Sequence, residues 1–280
     1  MKLKDKLQES LSGIMSEELL NKLPSGYSVI GDIAIFRRLN PEIDSYKKNI
    51  GECVISFDPQ VKVVIEQFDT ISAYRKPIIS HMAGEKKTET THKEFNTLFN
   101  LDLETITFSP GNKSERCHLI KTVEDNEIIC DMFACIGNLS LPIVVNNSSV
   151  TVYGMEWNQT ALNFLKKNID VNKVGEQYIS QFGDNREITP KNIATRVIMG
   201  YFDIDKKQFY VALEAIKDQG WIHFHRLAPR DKLDQPIEII EKERKISNHK
   251  IETQEVRIIK KYSPRLYHLC SDIYVKKFLN

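Results

Sequence analysis

No apolar run in this 280-residue sequence approaches the roughly 20 residues that a helix needs to cross a bilayer. The amphipathic N-terminus, MKLKDKLQESLSG, carries both charge signs and lacks an apolar signal core. Cysteine is sparse: residues 53, 117, 130, 135 and 270, an odd number, with no CxxC. That pattern fits buried free thiols in a reducing cytoplasm better than a disulfide framework. No histidine stands in an HExxH or similar metal spacing, and no GxGxxG dinucleotide fingerprint occurs. Repeats and low-complexity stretches are absent. Net charge is nearly absent too, with 39 Lys+Arg against 38 Asp+Glu, which weighs mildly against a nucleic-acid partner. What is present, 41% hydrophobic and 28% charged residues, is the balance of a globular protein and excludes disorder or fibre. The length suits one large domain, or a smaller domain joined to a catalytic one.

Residues 4–23 space their leucines as a helix does, and Pro24-Ser25-Gly26 ends it. YSVIGDIAIFRR reads as two short strands around Gly31-Asp32. Pro41 opens a helical stretch, VKVVIEQF is a strand, residues 74–94 are polar and loop-like, and LETITFSP (103–110) alternates as a strand should. From residue 127 the texture becomes β-α-β-α: EIIC, then LSLPIVVNN, VTVYGME, NQTALNFLKKNIDVN, EQYISQFGDN and RVIMGY. QFYVALEAIKDQG then reads as an amphipathic helix capped by Gly220, and WIHFHR as a fifth strand. EIIEKERKI reads as a helix, and the last two apolar stretches as an antiparallel pair at the sheet edge. The expected fold is α/β: a doubly wound, Rossmann-like domain over 111–280 behind a smaller N-terminal α/β domain over 1–110.

In a doubly wound sheet the ligand lies beyond the carboxyl ends of the strands. Gly137, in the turn Asp131-Met-Phe-Ala-Cys-Ile-Gly137-Asn138, lets backbone approach a ligand closely. Glu156 ends the second strand, where an acid accepts both hydroxyls of a ribose. Asp184 and Asn185 end the third, where a carboxylate or amide binds the adenine amino group. Met199, Gly200 and Tyr201 end the fourth and border the reacting group. Each piece alone is an ordinary turn or cap. Their order favours a nucleoside cofactor, and the missing GxGxxG makes that S-adenosylmethionine (SAM) rather than NAD. His223 and His225 project to one face of a strand, but no third metal ligand is evident.

These segments carry a resemblance. LPSGYSVIGDIAIF, AGEKKTETTHKEFNTLFNLDLETITFSPGNKSER, DMFACIGNLSLPI, GMEWNQTALNFLKKNIDVN, GDNRE and KYSPRLYHLCSDIYV resemble the successive motifs of one archaeal family. It contains the tRNA guanine-37 N1-methyltransferases and the TYW2 (Taw2) wybutosine-synthesising aminocarboxypropyltransferases, class I SAM-dependent enzymes. The methyltransferase branch has Asn with Pro at the end of its fourth strand. Met199-Gly200-Tyr201 and Gly220-Trp-Ile-His223-Phe-His225 are instead similar to the aminocarboxypropyltransferase branch, and no Asn-Pro-Pro occurs.

The resemblance implies transfer of the 3-amino-3-carboxypropyl group of SAM, a co-substrate, to 4-demethylwyosine at position 37, in the anticodon loop of phenylalanine tRNA. The alternatives are N1-methylation of guanosine 37 and a non-catalytic SAM- or RNA-binding relative. It implies a cytoplasmic protein with no metal, no membrane and no obligate protein partner. Phe133, Gly137 and Asn138 would line the methionine side, with Glu156 at the ribose and Asp184 and Asn185 at the adenine. Trp157 goes with the cofactor residues or with packing, and Ser109 touches the SAM carboxylate or caps a strand. Arg116 would meet cofactor or substrate phosphate, with an ion pair to Glu115 as the alternative. Lys93 and Tyr201 would be catalytic, Lys93 at substrate phosphate or base and Tyr201 stacking on a base. Cys135 stands where the family has Gly, and Lys93 where it commonly has Arg. Residues 226–280 hold 13 basic and 8 acidic side chains, a local cationic excess that phosphate binding requires.

Overall fold

The computed structural model describes residues 1–71, 75–233, 240 and 249–278, without the side chains of 253 and 254. The chain forms two compact units: Met1–Lys93 with Phe99–Pro110, and Glu94–Leu98 with Gly111–Asn280.

In the first unit, α1 (Leu3–Leu11) and α2 (Glu17–Leu20) precede β1 (Ser28–Ile30) and β2 (Ile33–Arg37). A 3-10 turn (Pro41–Tyr46) leads into α3 (Lys47–Phe57), then β3 (Val63–Ile71) and β4 (Lys76–Gly84). The four strands lie in the order β1-β2-β3-β4. Leu7, Leu11, Phe36, Ile50 and Val54 form its core, at helical spacing in the helices and on one face of the sheet. β5 (Glu89–Glu94) and β6 (Thr97–Asp102) pair as a two-stranded ribbon. The polar stretch 74–94, expected as loop, therefore holds β4 and β5. β5 alternates exposed and half-buried residues, so its polarity marks a solvated face. The strand expected at 103–110 is displaced: β6 ends at Asp102, whose side chain accepts from the Glu104 N–H and turns the chain.

In the second unit, α4 (Lys113–Thr122) precedes β7 (Ile128–Asp131), α5 (Leu141–Asn146) and β8 (Thr151–Glu156). Next come α6 (Gln159–Asn172), β9 (Tyr178–Phe182), α7 (Asn185–Ile188) and β10 (Ala194–Met199). α8 (Lys206–Ala215), β11 (Ile216–Pro229), β12 (His249–Lys261) and β13 (Leu266–Lys277) complete it. The sheet order is β12-β13-β11-β10-β7-β8-β9. β7 to β11 are mutually parallel, and β13 joins β11 antiparallel. The direction of winding reverses between β7 and β10, so right-handed crossovers put α5 and α6 on one face and α8 on the other. β7 is central, and its Ile129 and Cys130 are wholly buried, hence the unbroken apolar run.

The β12–β13 hairpin closes the β11 edge as expected, and EIIEKERKI, apart from Ile240, lies outside the described residues. Gly220 is not a helix cap. α8 stops at Ala215 and β11 begins at once. Ala194 pairs with Ile216 and Arg196 with Trp221, a bulge, and a Cβ on Gly220 would lie 2.1 Å from the Thr195 carbonyl oxygen.

Candidate active site

The carboxyl ends of β7, β8, β9 and β10 form one edge of the second unit. At the end of β7, Asp131 is buried. Its Oδ1 accepts the Phe133 N–H at 3.1 Å and its Oδ2 the Ser140 hydroxyl at 2.6 Å. Tyr178 OH reaches Ser140 Oγ at 2.7 Å. Burial pushes the Asp131 carboxyl up to about 6. In the sequence Asp131 stands only as the start of a turn. Its place at a strand end, like that of Glu156, was the available signal.

The turn after β7 is tight. Gly137 has φ +88, and a Cβ there would sit 2.7 Å from Leu141 Cβ. Cys135 adopts φ +51 without being glycine. This conformation turns its N–H onto Glu156 Oε2 at 2.7 Å, while Glu156 Oε1 accepts the Asn158 N–H at 2.7 Å. Glu156 is 9% exposed, and burial raises its carboxyl above the usual range. These fixed donors, with the Trp157 backbone beside them, orient the carboxylate, whose oxygens can each accept further hydrogen bonds. Asn138, half-buried, bonds Cys135.

Two aromatic side chains stand exposed beside Glu156: Trp157 at 48%, and Phe182, the register partner of Glu156 on β9, at 56%. Exposed aromatics at adjacent strand ends offer faces to an adenine ring. Phe182 is not marked in the sequence, because the strand-like stretch EQYISQFGDN runs past it to Asn185.

Asp184 caps α7, and Arg186 returns onto it through Nε (2.9 Å) and Nη2 (2.5 Å), with Nη1 on Asp205 at 3.0 Å. Arg186 holds the Asp184 carboxyl below the usual range. Asn185 is used by the fold: its amide donates to the Met132 carbonyl at 2.7 Å, and its oxygen accepts from Gln208 at 3.2 Å. An amide engaged at both ends ties the β7 loop to α7 and α8.

Met199 is wholly buried in the core, so only its backbone borders the edge, while Gly200 is exposed. Tyr201 stacks on Phe133, centroids 5.4 Å apart and planes 15° from parallel. These two rings meet across the switch point between β7 and β10.

Arg116 stands apart from this group. It is 1% exposed, and its guanidinium makes a fork on Glu94, Nε to Oε1 at 2.9 Å and Nη2 to Oε2 at 3.0 Å. It is buried and neutralised there, and its ion-pair partner is Glu94 rather than the adjacent Glu115. Ser109 and Lys93 belong to the first unit. Ser109 is half-buried just before a 3-10 turn (Pro110–Asn112), and Lys93 is exposed on β5.

A buried polar network fastens the hairpin to α4 and β11. Arg257 on β12 bonds both oxygens of Glu115 (2.5 and 3.2 Å) and both of Asp272 (2.8 and 3.0 Å). His223 Nδ1 lies 2.7 Å from Asp272, and its Nε2 2.6 Å from Arg196 Nη1. Arginine only donates, so Nε2 accepts and Nδ1–H donates to Asp272; the ring is neutral, and its burial lowers its pKa. His225 Nδ1 meets His268 Nε2 at 2.8 Å, and burial pushes His225 down to about 4. The third ligands not evident in sequence are present: Glu115-His225-Cys270 and His118-His223-Asp272 each bring metal-type donor atoms within 4.8 Å. Arg257 already supplies the cation to both carboxylates.

A doubly wound sheet whose edge carries a buried acid at a strand end, a glycine turn and exposed aromatics defines a class I SAM-dependent transferase fold. Residues 90–253 match the TRM5/TYW2 methyltransferase domain, and residues 7–88 the TYW2 N-terminal domain. The chain belongs to the TRM5/TYW2 family. It is similar to the tRNA(Phe) (4-demethylwyosine(37)-C(7)) aminocarboxypropyltransferase of Pyrococcus horikoshii, 34% identical over 98% of each chain. It is also similar to the tRNA (guanine(37)-N(1))-methyltransferase Trm5b of Pyrococcus abyssi, 33% identical over 92% of this chain and 77% of that one. Among solved structures, P. horikoshii TYW2 in complex with MeSAdo matches with TM-score 0.83 and 32% identity over 98% of this chain and 100% of that one. The complex of aTrm5 and tRNALeu matches with TM-score 0.82 and 30% identity over 97% of this chain and 78% of that one. No helix among the described residues is long and apolar enough to cross a membrane.

Proposed function

We propose that this protein transfers the 3-amino-3-carboxypropyl group of SAM to a ring carbon of 4-demethylwyosine at position 37 of phenylalanine tRNA. The observation that carries this reading is the end of β10, Met199-Gly200-Tyr201 without Asn-Pro, with Tyr201 stacked on Phe133 across the switch point. The P. horikoshii relative, whose name states this activity, supports it.

SAM brings to this edge a sulfonium with three electrophilic carbons, and the one held in line with the nucleophile is transferred. Glu156 accepts the ribose hydroxyls, Trp157 and Phe182 flank the adenine, and Asp184 offers the lone pairs that Arg186 leaves. The turn through Cys135, Gly137 and Asn138 closes on the methionine side. The Phe133–Tyr201 pair occupies the wall where the choice between methyl and aminocarboxypropyl is made. The target base, splayed from the anticodon loop, stacks against Tyr201. Lys93 meets backbone phosphate. No step of this reading uses a metal.

Trm5b similarity at 33% identity favours a second reading, N1-methylation of guanosine 37. Incubation with SAM and tRNA carrying either 4-demethylwyosine or guanosine at position 37, followed by nucleoside mass spectrometry, separates them. An aminocarboxypropyl mass gain is expected. A methyl gain replaces this reading with the second, and no gain with measured SAM binding leaves a binding protein.

A further inference from the structure

The tail's cationic excess is not one patch. β13 separates Leu266 from Lys276 and Lys277, so at ~3.4 Å per residue the terminal lysines stand more than about 30 Å from the KKYSPR turn. The end of the hairpin that holds this turn lies on the carboxyl side of the parallel sheet. Phe224 is the register partner of Met199, and β11 runs on to Pro229, paired with Leu266. Those five further residues, at ~3.3 Å each, carry the hairpin about 16 Å past the edge where Glu156 and Tyr201 stand.

A cleft opens at this overhang, lined by Arg230, Asp231, Ser263 and Arg265 among others. The Arg230 N–H donates to the Arg265 carbonyl at 3.0 Å, so two guanidiniums spring from directly bonded backbones. Both side chains are exposed, and among the described residues neither has an ion-pair partner. Lys232 and Lys261 are exposed on the same two turns, where Asp231 is the one carboxylate among the described residues. Like charges held together repel, and a bound anion removes that repulsion. Ser263 Oγ accepts from the Arg265 and Leu266 N–H groups, which leaves its hydroxyl hydrogen to donate.

Aromatic rings connect this cleft to the site. Tyr262, 41% exposed beside it, meets Phe202 edge-on at 5.5 Å, and Phe202 follows Tyr201. Cations that take phosphate beside rings that take bases are the components of a single-strand track.

We propose that the cleft at Arg230, Ser263 and Arg265 binds the RNA backbone phosphates beside the target nucleotide, with Tyr262 against a neighbouring base. This rests on the tRNA reading above and adds where the flanking strand is held. Two phosphates gripped by two arginines contribute about 0.7 each to the salt slope of single-strand binding.

The test compares the full chain with an Arg230→Gln/Arg265→Gln variant, by tRNA affinity across a salt series. A Lys217→Gln/Lys276→Gln control removes two exposed charges from the opposite end of β11 and β13. The cleft variant is expected to bind tRNA about tenfold more weakly at 0.15 M salt, with a slope shallower by about 1.4. SAM affinity by calorimetry should be unchanged in both variants, and the control should keep the parent's slope. Equal losses in the two variants, or no loss in the cleft variant, overturn the cleft. A parent that binds no tRNA overturns the functional reading and the cleft with it; a parent that binds while the cleft variant loses nothing overturns the cleft alone. Lysine at both positions, keeping the charge, is expected to restore the slope.

Discussion

The backbone N–H of Cys135 reaches Glu156 Oε2 at 2.7 Å only because Cys135 sits in the left-handed region, with φ +51. A side chain there costs roughly 1–2 kcal/mol that glycine avoids, partly offset by glycine's greater unfolded freedom. Cys135→Gly is therefore expected to be neutral or stabilising within about 1 kcal/mol and to keep SAM affinity. Cys135→Val, branched at Cβ, should lose about 2 kcal/mol and bind SAM more weakly as the turn shifts off Glu156. Denaturant melts and calorimetry check both. Equal behaviour of the two variants would show that the positive φ is not what sets the turn.

Glu156 accepts backbone N–H groups, those of Cys135 and Asn158 among them, and under the proposed reading it also accepts the ribose hydroxyls. Glu156→Ala leaves the Cys135 and Asn158 N–H groups without their acceptor, and hydrogen bonds to a charged group contribute about 1.5–3 kcal/mol each. SAM affinity should fall at least tenfold. Unchanged affinity would move the ribose elsewhere.

Asp131 should make stability fall with rising pH. Its folded pKa, about 6, lies above the ordinary 3.8, so the native state holds a proton that the unfolded state has released. Its contribution is fully present below about 3.8 and is lost as pH rises through about 6. Asp131→Asn keeps an acceptor for Phe133 N–H and carries no charge. Its stability relative to the parent should therefore improve between pH 4 and pH 8, by on the order of 3 kcal/mol. Chemical denaturation at the two pH values measures this, and a flat difference would sink it.

Arg116→Ala removes both bonds of the fork on the buried Glu94 carboxylate and should cost about 3–5 kcal/mol. Replacing both partners with Leu and Met should recover most of it. If Arg116→Ala were instead stable and defective only in SAM or tRNA binding, the pair would be a site rather than a brace.

Legibility in the sequence followed locality. The run from Ile128 to Met199 was readable because each strand is a short apolar segment closed by a turn, and the acids at its ends fell where a doubly wound sheet needs them. The Arg116–Glu94 pair was not legible because the two residues lie 22 apart and nothing adjacent marks them. Phe133 and Tyr201 were each named, but their stacking depends on the sheet order β10-β7, which skips two strands of sequence. The β5 strand hid behind solvated side chains, and Gly220 resembled a cap because close approach to Thr195 asks for the same residue as a helix end. The histidines' partners come from α4 and β13, far along the chain, so their network was invisible.

The order of synthesis and the order of the sheet disagree at the hairpin. β12 is made before β13, yet β13 lies between β12 and β11. A newly made β12 thus has no strand to pair with, and Arg257 cannot yet meet Asp272. On the ribosome, the parallel strands can assemble while β11 still shows a bare edge, a template for pairing with another chain. Late closure of that edge by β13, with the charge-rich β12 as the new outer strand, protects the finished protein. The interval before it leaves the nascent one open to misassembly.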